Sequence, residues 1–133
     1  MKTFKTLIIS ALVILLSSCA TSIKFPVSTV APAADIVASV TKDQNGNTKI
    51  TIKANNLAAA ERLSPPKAAY VVWIVTERDG IHNIGRLSNK NVQSTGLETL
   101  TPFKLTEVFI TAEDYADAII PAGIEISRIQ LKQ

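Results

Sequence analysis

Few residues in this chain are of a type that does chemistry, and they are scattered. The 133 residues include one cysteine, Cys19, and one histidine, His82. A lone cysteine rules out an intramolecular disulfide, and a lone histidine rules out a metal site built from several imidazoles. No Gly-x-Ser-x-Gly elbow is present, and a Ser/His/Asp triad could be assembled only from arbitrarily chosen serines. Glu113, Asp114 and Asp117 form the one acidic cluster. Paired carboxylates can do acid–base work, and calcium takes several loop oxygens. The spacing matches no calcium loop, however, and Ala112, Tyr115 and Ala116 do not complete one, so a solvated loop is expected. Tyr115 is the aromatic expected at the surface, which makes Tyr115, Asp114 and Asp117 the candidate binding surface. Tyr70 and Trp73 could suggest a carbohydrate platform, but they stand in the most apolar run of the chain and are expected to pack in the core. No catalytic residue, metal or cofactor is assigned, and the chain is expected not to be an enzyme.

The N-terminus explains the cysteine. Lys2 and Lys5 precede an apolar run of ten residues, Leu7 to Leu16. A helix needs about 20 apolar residues to span a bilayer core, so the run suits the h-region of a signal peptide. Leu16-Ser17-Ser18-Cys19 follows directly and resembles the lipobox of bacterial lipoproteins. That resemblance implies a diacylglyceryl group on the Cys19 thiol, cleavage after residue 18, and acylation of the new amino group. Two or three acyl chains anchor a protein stably, where one binds only reversibly. The partner so implied is the membrane itself, through the lipid at Cys19. Ala20 follows the cysteine where an aspartate would favour inner-membrane retention in enteric bacteria, and no acidic cluster follows as in surface-exported lipoproteins. The resemblance therefore implies an outer-membrane anchor with the domain facing the periplasm.

Removing 18 residues leaves 115, enough for one small domain. Lys2 and Lys5 leave with the signal, so the 14 basic residues fall to 12 against 11 acidic ones. A balance near neutrality gives no electrostatic footing for nucleic acid. Residues 19–34, with Pro26, Pro32 and several Ser and Thr, read as the lipidated cysteine and a partly extended tether, although Ile23-Lys24-Phe25 could pack as a short edge strand. The folded domain is expected over 35–133.

From Asp35 the pattern has period two. Ile36, Ala38 and Val40 alternate with Val37, Ser39 and Thr41, and Ile50 and Ile52 alternate with lysines and Thr51. Asn45-Gly46 between these runs signals a hairpin, with Asp43 and Asn45 as turn formers; strands are expected near 35–43 and 48–55. Ala58 to Leu63 suits a helical turn or two, stopped by Pro65-Pro66. Tyr70 to Thr76 is the most strand-like run, with Trp73 expected at the centre of the core. Further strands are expected over 81–87, with a bulge at Gly85, and over 97–101, 107–111 and 124–131. In the last run Ile124 and Ile126 have the opposite parity to Ile129 and Leu131; a bulge near Ser127 would bring all four to the core. Seven short strands with frequent turns predict an antiparallel Ig-like β-sandwich, with a small open β-barrel as the alternative.

The order of these pieces resembles the extracytoplasmic C-terminal domain of anti-sigma-K factors of the RskA type. The matching residues are Asn56-Leu57, Tyr70-Val71-Val72-Trp73-Ile74, Ile84-Gly85, Phe109-Ile110-Thr111-Ala112-Glu113 and Pro121-Ala122-Gly123, across roughly 35–131. The resemblance implies a sandwich with a sensing or docking role outside the cytoplasm, and it supplies no catalytic residues. The sigma-binding helical domain and membrane helix that precede this module in that family have no counterpart here, so anti-sigma activity does not carry over. The expected function is a non-enzymatic interaction or structural module of the cell envelope, contacting an envelope protein or peptidoglycan through a sheet edge or loops. A small-ligand or carbohydrate-binding module is the alternative, and it would need a concave pocket with an exposed aromatic.

Overall fold

A computed structural model describes residues 20–88 and 93–132. The described chain forms eight strands in two antiparallel sheets: β1 (Thr21–Lys24), β2 (Asp35–Lys42), β3 (Thr48–Asn55), β4 (Ala69–Thr76), β5 (Ile81–Leu87), β6 (Ser94–Thr101), β7 (Leu105–Glu113) and β8 (Ile124–Gln130). The first sheet has the order β1-β2-β3-β6 and the second β5-β4-β7-β8. The chain crosses between sheets after β3, β5 and β6, which is the Greek-key course of an immunoglobulin-like sandwich with β1 added at one edge. All seven expected strands are present, and the sheets do not close into a barrel.

The alternating residues build the core between the sheets. Ile36 and Ala38 of β2 and Ile50, Ile52 and Ala54 of β3 face Tyr70, Val72 and Ile74 of β4 and Val108, Ile110 and Ala112 of β7. The β2–β3 turn runs from Asp43 to Asn47. The Asp43 carboxylate accepts the amides of Asn45 and Asn47, both at 2.8 Å, and Gly46 takes φ +80°. Only Ala60–Arg62 is helical in the next connection, as one 3-10 turn that buries Ala60.

Two bulges resolve the irregular strands. Val72 pairs with Gly85 and Trp73 with Asn83, so Ile84 is the extra residue of β5. Gly85 has φ +136°, and an added Cβ would meet Leu97 of the facing sheet at 3.0 Å. The positive φ favours glycine there, and a methyl would also have to displace the Leu97 side chain slightly. In β8, Ile110 pairs with Ser127 and Thr111 with Glu125, which leaves Ile126 extra. Ile126 and Ile129 thereby both reach the core, and Leu131 packs against it.

Two expectations are corrected. The stretch expected as a tether is part of the sandwich from Thr21 onward, and the edge strand that Ile23-Lys24-Phe25 could form is present as β1. β1 pairs with β2 from Thr21↔Val40 to Lys24↔Val37, Phe25 is buried in the core, and the Ser127 hydroxyl donates to the Pro26 carbonyl at 2.8 Å. Proline ends this strand without loosening the chain, because Phe25 gains apolar burial that a solvated linker lacks. Cys19 and residues 1–18 lie outside the described residues. The second correction concerns Trp73. It is fully buried, but on the outer face of the second sheet, where Val71, Trp73 and Phe109 form a separate cluster. The continuous apolar run of β4 buries Tyr70, Val72 and Ile74 on one face and this cluster on the other.

Tyr70 holds the connection after β3. Its hydroxyl donates to the Ala58 carbonyl at 2.6 Å. Burial, with the nearby Glu61 charge second, pushes its pKa up to about 12. The free phenol titrates near 10, so between about pH 10 and 12 the unfolded chain loses a proton that the folded chain keeps. Stability therefore falls with rising pH across that window. Thermal melts from pH 9 to 11.5 should show a shallower decline for Tyr70→Phe than for the native chain; equal slopes would contradict the assignment.

Candidate functional site

The two ends of the sandwich differ. The described chain begins at one end, where Thr21 pairs with Val40, and this end also carries the Asp43–Asn47 turn and the C-terminal end of β8. The opposite end carries the β3–β4 connection and the loop from Asp114 to Gly123 that joins β7 to β8. Strands rise about 3.3 Å per residue, so the nine residues of β7 separate the two ends by roughly 25–30 Å.

The 114–123 loop holds the largest run of uncovered apolar side chains among the described residues. Tyr115 is 74% exposed, Ile119 87% and Ile120 70%. Side chains of this kind on a polar loop would ordinarily turn inward. Here the loop backbone is held by contacts that leave them outside. The Asn83 side-chain amide on β5 donates to the carbonyls of Ala116 and Ala118, at 3.1 and 2.9 Å. The loop thus folds back over the outer face of the second sheet, where Ala118 packs against the Trp73 cluster. At the start of the loop, Lys67 meets Asp114 at 3.2 Å. At its end Gly123 lies so close to β7 that an added Cβ would fall 1.8 Å from the Ala112 carbonyl oxygen.

Beneath the loop runs a chain of polar groups. The Trp73 indole N–H donates to the Thr111 hydroxyl at 2.7 Å, and that hydroxyl donates to Glu113 Oε1 at 2.5 Å. Glu113 is only 3% exposed. Beside this network, Arg128 lies 4.0 Å above the Phe109 ring, which stacks with Trp73 at 6.2 Å between centroids. Arg128 also binds Glu107 and makes a 2.9 Å pair with Glu125. Hydrogen bonding from Arg128 holds the Glu125 carboxyl below its ordinary range.

The structure thus divides the acidic cluster read from the sequence. Glu113 is buried beneath the loop on the outer face of the second sheet, Asp114 is paired with Lys67, and Asp117 is exposed. Among the described residues, no group of three or more His, Cys, Asp and Glu side chains is placed to hold a metal ion. His82 lies at the rim of the inter-sheet core, stacked on Phe103 at 4.7 Å, with no hydrogen-bond partner at Nε2. A cleft of about 480 Å³ near the loop's end of the sandwich is lined by Val30, Ala31, Asn56, Arg62 and Leu63 among others; Tyr115 is not in its wall.

Tyr115 and Asp117 stand where the sequence puts them, in a loop and at the surface. Ile119 and Ile120 were missed, although two adjacent branched apolar residues before Pro121 and outside any alternating run were the available signal. Asn83 has no such signal, because its partners are backbone carbonyls more than 30 residues away. Comparison with protein-family models, curated proteins and solved structures finds no match.

Proposed function

We propose that the chain is a non-enzymatic envelope lipoprotein, anchored through Cys19, that docks an envelope protein through the 114–123 loop. The observation that carries this reading is the exposure of Tyr115, Ile119 and Ile120 on a loop pinned from beneath by Asn83, Trp73 and Gly123. An apolar patch rimmed by polar groups marks an interaction surface, and a pre-braced loop loses little conformational freedom on binding. Asp114 is already paired with Lys67, so Asp117 gives the rim its free charge, and the partner surface is apolar at its centre with a donor or cation facing Asp117.

The anchor reading supports the same role. One residue, Ala20, separates Cys19 from β1. A sandwich anchored there stands directly on the bilayer and holds the loop at the far end, facing the periplasm if the anchor is in the outer membrane. The resemblance to the extracytoplasmic module of anti-sigma-K factors agrees with a docking or sensing role. The ligand-binding alternative is less well supported, because the exposed Tyr115 is not in the wall of the cleft at the loop's end of the sandwich.

The test is a photo-cross-linking amino acid placed at Tyr115 in cells. One specific protein adduct is expected, and Ile119→Ser with Ile120→Ser should reduce it at least tenfold. Exposed substitutions of this kind shift stability by about 0.5 kcal/mol or less, so the melting temperature should hardly move. No adduct, or an adduct that persists unchanged in the double variant, would overturn the docking surface.

A further inference from the structure

The side of the sandwich bounded by β5 and β6 is sealed by Leu97 packing over Gly85. The other side, between β1 and β8, is not sealed along its whole length. Near the loop's end Ser127 and Pro26 bridge the two sheets. Toward the end where the described chain begins, β1 and the tail of β8 separate around a slot of about 300 Å³ lined by Thr21, Ile23, Val40, Gln130, Leu131 and Lys132. Its apolar walls are continuous with the inter-sheet core, since Ile23 and Leu131 pack against the core and are only partly buried. An adjoining cleft of about 300 Å³ shares Val40, Leu131 and Lys132 and reaches Lys42, Glu77 and Lys104.

We propose that this slot seats one acyl chain of the lipid carried by Cys19. The proposal rests on the anchor reading given above. Position selects this occupant. Thr21 is a wall of the slot, and Cys19 precedes it by two residues, a span of at most about 7.6 Å between Cα atoms. A lipid on Cys19 is therefore tethered within that span of a wall residue of the slot, and covalent attachment raises its effective concentration there to about the millimolar range. The chemistry agrees: the walls are aliphatic, and the charged end of Lys132 and the amide of Gln130 can remain at the rim. A bilayer solvates an acyl chain as well as the slot does, so the slot is occupied when the protein is out of the membrane. Seating one chain then covers exposed methylenes and fills the gap between the sheets.

The experiment uses the full lipidated protein from cells fed a diazirine-bearing fatty acid. The protein is purified in detergent, transferred to detergent-free buffer and irradiated, and its peptides are mapped by mass spectrometry. Adducts within one molecule are expected on peptides containing Ile23, Val40 or Leu131, and they should fall at least fivefold in both Leu131→Glu and Ile23→Ser. Label on Cys19 with adducts scattered elsewhere, or unchanged in both variants, would overturn the slot while leaving the anchor intact. No label on Cys19, equal to the Cys19→Ser control, would overturn the anchor and the slot together.

Discussion

Trp73→Ala lowers the stability of the domain by about 3–5 kcal/mol, the range for truncating a buried tryptophan, and frees the loop above it. The side chain is fully buried, yet only a loop and the neighbouring Phe109 and Val71 cover it. Truncation removes the floor on which Ala118 rests and the indole N–H that serves Thr111. The loss is a large part of a stability that for such domains totals about 5–15 kcal/mol. Urea unfolding should read the loss, and amide exchange should show residues 115–119 opening before the inter-sheet core. Trp73→Phe separates the two causes, because it keeps most of the volume while leaving Thr111 without its donor. It should cost about 1–3 kcal/mol. A loss below about 1 kcal/mol for Trp73→Ala would mean that the outer cluster does not hold the loop.

Gly123→Ala should be as damaging for a different reason. The new methyl would lie 1.8 Å from the Ala112 carbonyl oxygen and 2.9 Å from Glu113 Oε2. The nearest obstacle is backbone and cannot swing aside. Ala112 and Ile124 form the last pair of β7 and β8, so relief requires this end of the pair to part. Overpacking costs up to about 3 kcal/mol where side chains can yield, and about that or more is expected here. Because the loop's return point moves, the cross-link at Tyr115 should be lost as well. Gly46→Ala is the contrast: nothing lies within 4 Å of its added methyl, and the cost is limited to the strain of a positive φ, about 1 kcal/mol. Equal melting temperatures for the two variants would contradict the close approach.

What could be read from the sequence followed from local periodicity. Ile36, Ala38, Ile50 and Ile52 alternate with polar residues, so their faces were decided by the chain itself, and the Asn45-Gly46 turn joined them. The parity conflict between Ile126 and Ile129 called for a bulge, and the structure places it at Ile126. Parity does not place Trp73, because it carries no information when both faces of a strand are apolar. Val71, Trp73 and Val75 look like core residues by type, and only the return of the 114–123 loop over them decides which core they join. Four half-polar residues ended by Pro26 carry little strand signal, so β1 is legible only as the edge strand that Ile23-Lys24-Phe25 could form beside the tether reading. Its place depends on Phe25 and on the contact between Ser127 and Pro26, which spans 101 residues. At the candidate site, Tyr115, Asp114 and Asp117 could be recognised as loop residues. The burial of Glu113 could not, since it arises from the hydroxyl of Thr111 and the closeness of Gly123.

Intact mass spectrometry of the protein extracted from native membranes tests the anchor most directly. A chain that begins at Cys19 and carries the added mass of a diacylglyceryl group, with or without a further acyl chain, is the result expected. A chain that retains residues 1–18, or that begins at Cys19 with an unmodified thiol, would contradict the account of where this sandwich stands and which way its loop faces.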